Sequence, residues 1–173
     1  RVLDVFEPET AVILCSAIKR QEGDTLENYR RNMAMVESLA PVLRERGAGR
    51  FIFFSSAAVY GEDVESKAIT EKTPVEPTSY YGMAKHAAER LLLKAVEGRE
   101  PSPLVLLRPP TIYGPGEPGR PYGPAGFLRA ALAGETITLW GDGSELREFI
   151  FVEGAVAAVL ALGAEPCSGV LDH

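Results

Sequence analysis

At 173 residues, with 46% hydrophobic and 24% charged side chains, the chain has the length and composition of a globular domain with its own core, which excludes a disordered segment. A formal net charge of -6 and an isoelectric point near 5.1 offer no broad attraction for nucleic acid or for an anionic membrane surface. The longest apolar stretch, Ala155 to Leu162 with its flanking glycines, is shorter than the roughly 18 to 20 residues of a membrane span.

In chain order, Arg1 to Phe6 reads as the end of a connecting helix and, with acidic residues interrupting it at once, does not read as a signal peptide. Ala11-Val-Ile-Leu-Cys15 is a continuous apolar run, the pattern of a strand covered on both faces. From Leu26, the apolar residues Tyr29, Met33, Val36, Leu39 and Leu43 recur at steps of three and four, which predicts an amphipathic helix kinked at Pro41 and closed by a left-handed cap at Gly47. Phe51 to Phe54 reads as a second buried strand and Gly61 to Ser79 as a long loop. Tyr80 to Val96 is rich in helix formers, and Leu104 to Leu107 is a third strand. This alternation predicts an α/β fold with a parallel sheet and right-handed crossovers.

Beyond Arg108 the chain is rich in Pro and Gly as far as Pro124, a texture that suits no regular element. There follow an expected helix from Ala125 to Ala133, a strand from Thr136 to Trp140, a Gly-Asp-Gly turn, a strand from Glu148 to Val152 and an alanine-rich helix from Gly154 to Leu162. The two cysteines, Cys15 and Cys167, show neither metal spacing nor a disulfide framework, and both read as buried thiols in a reducing cytoplasm.

The chemistry concentrates in Tyr81-Gly-Met-Ala-Lys85. On a helix, residues four apart share a face, so the phenol and the ammonium can project into one space. A cation beside a phenol favours the phenolate and makes tyrosine a usable general acid/base near neutral pH. Alone, the spacing is a weak signal. Its context is Ser55-Ser56-Ala-Ala-Val-Tyr-Gly61, which follows a strand at the edge where open parallel sheets bind ligands. A serine there can hydrogen-bond a reacting oxygen, whereas an isolated Ser-Ser pair would simply close a strand. His86 is turned about 100° from Lys85 on the helix and His173 is terminal, so no transition-metal site is expected.

These residues resemble the extended short-chain dehydrogenase/reductases of the NAD-dependent epimerase/dehydratase family, the UDP-galactose 4-epimerase type. Four motifs occur in the family's order: Phe53-Phe-Ser-Ser-Ala-Ala-Val-Tyr-Gly61, Tyr81-Gly-Met-Ala-Lys85, Leu107-Arg-Pro-Pro-Thr-Ile-Tyr-Gly-Pro-Gly116 and Gly141-Asp-Gly-Ser-Glu-Leu-Arg-Glu-Phe149. The resemblance implies a Rossmann-like doubly wound parallel sheet over residues 1–108, its first strands missing, and, over 109–173, mostly a small substrate domain with a returning strand and helix. It implies Ser56, Tyr81 and Lys85 as the catalytic set. It implies NAD or NADP as cofactor, met by Ala17, Lys19, Asn32, Ser55, Tyr81, Lys85, Pro109 and Thr111, and a nucleotide sugar met by Ser56, Ala57, Thr111 and Arg147. A planar, always-charged guanidinium suits a diphosphate, and the other reading of Arg147 is a surface ion pair with Glu145, Glu148 or Glu153. A homodimer is also implied.

The chain departs from the family's pattern at Thr111, where many epimerases have asparagine, and at Glu153-Gly154, where an Asp-Asp pair is common. Ala57-Ala58 stand where the 4,6-dehydratases carry Asp-Glu, which disfavours removal of water. No glycine-rich dinucleotide turn precedes a helix, so the contact that separates NAD from NADP cannot be read, and the first strands and the end of the substrate domain are expected outside this sequence. The resemblance therefore implies an epimerase or reductase, with an NADPH-dependent carbonyl reductase and a non-catalytic dinucleotide-binding regulatory or assembly subunit as alternatives.

Overall fold

The computed structural model describes residues 6–7, 9–61, 68–99, 103–117, 123–139, 142, 146–164 and 171–172. They fall into two compact units, 1–109 with 159–173, and 110–158. In the first unit β1 (Ala11–Leu14), β2 (Arg50–Phe54), β3 (Leu104–Leu107) and β6 (Leu171–Asp172) form an all-parallel sheet in the order β1-β2-β3-β6. Helices α1 (Leu26–Arg46) and α2 (Tyr80–Ala95) are the crossovers between the first three strands. The expected α/β parallel architecture is therefore the observed one.

Both faces of the central strands are covered, and the period of two sorts their side chains between them. Phe51 and Phe53 of β2 and Leu104 and Leu106 of β3 join Val36, Ala40 and Leu43 of α1 and Ala88, Leu92 and Ala95 of α2 in one core. Ile52, Val105 and Leu107 face the other way and meet Phe54, Val159 and Leu162, the last two from α4 (Val152–Ala164). Each large side chain taken fully from water contributes about 1.5–3 kcal/mol, so this two-sided core dominates the stability of the unit.

Local signals set the helix ends. Thr25 caps α1 by accepting from the Asn28 N–H, and Ser79 caps α2 by accepting from the Gly82 N–H at 3.1 Å. α1 continues through Pro41. Gly47 does end it, with its N–H on the Leu43 carbonyl, but at φ 80° and ψ -174° rather than in the expected left-handed helical cap. Phe6 is not helical; it is buried with its ring 6.4 Å from that of Phe51, and residues 1–5 lie outside the described set.

Three further expectations are corrected. Among the described residues β1 stands first in the sheet order with only Leu14 buried, and Cys15, just beyond it, is exposed where a buried thiol was expected. Cys167 lies outside the described residues. In the second unit the Pro- and Gly-rich segment does contain a strand, β4 (Thr111–Tyr113), which pairs in parallel with β5 (Phe149–Phe151). Tyr113 packs edge-on against Phe149 and Phe151, and this aromatic cluster outweighs the local texture. Residues 136–139 form no strand, and Trp140 is outside the described residues. α3 (Pro124–Ala133) completes this unit, with proline in its first turn and Gly134 in a left-handed cap.

Candidate active site

Because β1, β2 and β3 run in parallel, their C-terminal ends and the loops that leave them share one edge of the sheet, the edge where open α/β sheets bind ligands. The β1 exit carries Ser16, Ala17 and Lys19, the β2 exit carries Ser55 and Ser56, and the β3 exit carries Arg108 and Pro109. α2 contributes Tyr81 and Lys85 from its first turns.

Lys85 is only 5% exposed. Its Nζ donates to the carbonyl of Phe54, the last residue of β2, at 2.5 Å, and it lies 5.8 Å from the Tyr81 ring centre and 4.9 Å from that of Phe53. Burial lowers its pKa to about 8, against the opposing influence of Cys15 and Glu89, which favour the charged form. Tyr81 is half-buried, and its N–H donates to Oδ1 of Asp24 at 3.1 Å, an acidic partner at the helix N-terminus. Tyr80 faces elsewhere: it is exposed, with its ring 6.5 Å from that of Tyr29.

Ser56 begins a short 3-10 turn, Ala57–Tyr60, and its Oγ accepts from the Ala58 N–H at 3.2 Å. Ser55, by contrast, is buried and donates to Glu89 Oε1. The Ala57 N–H donates to the Pro109 carbonyl at 3.0 Å, which ties the serine turn to the β3 exit. Gly82 lets α2 approach this turn: a methyl group there would collide with the Ala58 carbonyl and crowd Pro77.

Asn32, buried in α1, receives the Ile18 N–H at 2.8 Å and donates to the Ile18 carbonyl at 3.0 Å, fixing the loop between Ala17 and Lys19. Lys19 itself is exposed. Ser16, Ala17, Asn32 and Lys85 line a crevice of about 10 Å³, close to the space one water needs. Thr111, the first residue of β4, and Arg147, exposed before β5, belong to the second unit. Residues 140–141 and 143–145 of the Gly-Asp-Gly segment lie outside the described set.

Four participants escape the motif reading: Asp24, Tyr60, Glu89 and Arg108. Glu89 had a legible signal, since Tyr81, Lys85 and Glu89 succeed one another at four-residue steps along one helical face.

An all-parallel α/β sheet with helices as its crossovers is a Rossmann-like arrangement. Residues 1–171 match the NAD dependent epimerase/dehydratase family, and the chain belongs to that family. It is 31% identical over 175 residues to a UDP-glucose 4-epimerase of Mycolicibacterium smegmatis, covering 97% of this chain and 54% of the relative. Among solved structures it resembles MoeE5 in complex with UDP-glucuronic acid and NAD, with a TM-score of 0.78 and 30% identity over 99% of this chain and 58% of the other. It also resembles a UDP-N-acetylglucosamine 4-epimerase from Methanobrevibacter ruminantium in complex with UDP-N-acetylmuramic acid, with a TM-score of 0.84 and 26% identity over 99% and 57% of the two chains. The chain spans about half the length of the curated relatives it matches, 42% and 54% of two of them.

Proposed function

We propose that the protein containing this chain catalyses NAD-dependent epimerisation, or the related oxidation and reduction, at a carbinol carbon of a nucleotide-linked sugar. The observation that carries the reading is the buried Lys85 ammonium beside the Tyr81 ring, anchored to the same strand end that presents Ser56.

The residues fit a dinucleotide's nicotinamide-ribose end. An ammonium has three donors, and the Phe54 carbonyl takes one. Ser16 and Ala17 put small side chains beside it, on a loop that Asn32 holds in place. When bound, NAD supplies the acceptor and donor of hydride. Lys85 would hold the ribose hydroxyls, and its charge favours the phenolate of Tyr81. Tyr81 would then take the proton of the sugar hydroxyl as the carbinol is oxidised and return it on reduction, while the Ser56 hydroxyl orients the reacting oxygen. Ser55, Pro109 and Thr111 are assigned to the cofactor side, Ala57 and Thr111 to the sugar, and Arg147 to the diphosphate.

Ala57 and Ala58 carry no titratable group at the positions where the 4,6-dehydratases have Asp-Glu, which disfavours loss of water. The homodimer is proposed on the family resemblance, and the cytoplasm on cysteine usage. Among the described residues no helix is long and apolar enough to cross a membrane.

The test is to load the full-length protein with NAD, offer UDP-glucose, UDP-galactose and their N-acetyl and uronic acid counterparts, and follow the sugars by proton NMR. Interconversion of a C4-epimer pair, or oxidation of one sugar with matching nicotinamide reduction, is the expected result. Binding of NAD with no turnover of any of them would favour the non-catalytic alternative.

A further inference from the structure

We propose that the buried Glu89–Arg108 pair is a positioning device for the reaction, holding the turn that carries Ser56 in register with Tyr81 and Lys85. The proposal deepens the functional reading above and rests on it.

Glu89 lies one helical turn beyond Lys85 on the same face of α2 and is 1% exposed. Arg108 leaves β3 and meets it side-on: Nε donates to Oε1 at 2.9 Å and Nη2 to Oε2 at 2.7 Å. Such a bidentate fork fixes direction as well as distance. The pair then reaches both ends of the serine turn. Ser55 Oγ donates to Glu89 Oε1, and Arg108 Nη1 donates to the Tyr60 hydroxyl at 3.0 Å while the guanidinium lies 5.2 Å from the Tyr60 ring centre.

Between these two anchors stands Ser56, and the turn is also tied at its middle, where the Ala57 N–H meets the carbonyl of Pro109, the residue after Arg108. Ser56 is outside the ion pair; its own side chain caps the turn and remains half-buried. A buried ion pair is a poor device for stability alone, since apolar side chains of similar volume commonly serve as well or better. What an apolar pair cannot do is grip a serine hydroxyl and a phenol at the two ends of a six-residue turn. Nor could it place a carboxylate near Lys85, where the titratable and charged groups in reach are Tyr81 and Glu89 on its own helix, Cys15 from the β1 exit, and Arg108 through Glu89.

The experiment compares wild type, Tyr81→Phe and the double variant Glu89→Met with Arg108→Met in the full-length protein, using NAD and the UDP-sugar found active. The double variant strands no buried charge, so it should fold and keep its NAD affinity, with its melting temperature lowered only by the loss of the Ser55 and Tyr60 hydrogen bonds. Its kcat should fall about 100-fold, the effect of a displaced reacting group, with KM much less altered. The upper limb of its pH-rate profile should move to lower pH, because Glu89 no longer favours the Lys85 ammonium. Wild-type kcat and pH profile in the double variant, with Tyr81→Phe inactive, would overturn this proposal and leave the functional reading standing. An active Tyr81→Phe would overturn both. Should the double variant fail to fold, Glu89→Gln decides: retained NAD affinity with lowered kcat supports the proposal, and unchanged kcat overturns it.

Discussion

Tyr81→Phe should lower turnover by the roughly 10²- to 10⁴-fold typical of lost general acid/base catalysis, while the protein keeps its fold and its NAD affinity. The substitution removes one oxygen and leaves a half-buried ring in place beside Lys85. Tyr80 provides the internal control. It is adjacent in sequence but exposed and packed on Tyr29, so Tyr80→Phe should change turnover by far less. Steady-state kinetics on the two variants, with melting temperatures recorded alongside, separates a chemical role from a packing role. Equal activities for wild type and Tyr81→Phe would remove tyrosine from the mechanism.

Lys85→Met should be nearly as damaging, and in two measurable ways. Methionine fills the buried volume but cannot donate to the Phe54 carbonyl, and it carries no charge to favour a phenolate. Turnover should drop by at least about 10²-fold. NAD affinity should weaken by about 1.5–3 kcal/mol, the net worth of a hydrogen bond to a charged group. Isothermal titration with NAD and single-turnover kinetics read the two losses separately. Loss of turnover with undiminished NAD affinity would free Lys85 from the ribose contact and leave its electrostatic role; full turnover would dismiss both.

The parts legible in the sequence were those set by local periodicity. Phe51 to Phe54 and Leu104 to Leu107 read as buried strands, and the two clusters they enter show why: alternate side chains meet different layers. The nearness of Tyr81 and Lys85 follows from a four-residue step on a helix that Ser79 starts firmly. Features set by distant partners were not legible. Thr111 to Tyr113 looked like part of a loop because its pairing partner, Phe149 to Phe151, is remote in sequence. The β-branched residues Thr136 and Ile137, by contrast, promised a strand that residues 136–139 do not form.

The candidate site divides along the same line. The Ser55-Ser56 pair was legible from its place after a buried strand, and the choice of Ser56 came from the resemblance. The four-residue step put Glu89 on the face of Tyr81 and Lys85, but its burial and its pairing with Arg108 were not legible, because a charged residue on a helix and another after a strand usually face solvent. Only the fold shows that the two carry opposite charges to one buried point and bind Ser55 and Tyr60 there. Asn32 reads from the resemblance alone as a support for the site, and its two hydrogen bonds to Ile18 give that support a physical form.

Tyr81 is proposed to work as a proton carrier under the charge of a buried Lys85. The most direct measurement is turnover of the active UDP-sugar against pH in the wild-type protein. With its pKa lowered by burial to about 8, Lys85 holds its proton below that pH and loses it above. The rate should decline as pH rises through about 8, and Lys85→Met should not show that decline. A plateau sustained to the ordinary lysine value of about 10.4, or a limb near 8 that persists in Lys85→Met, would contradict it.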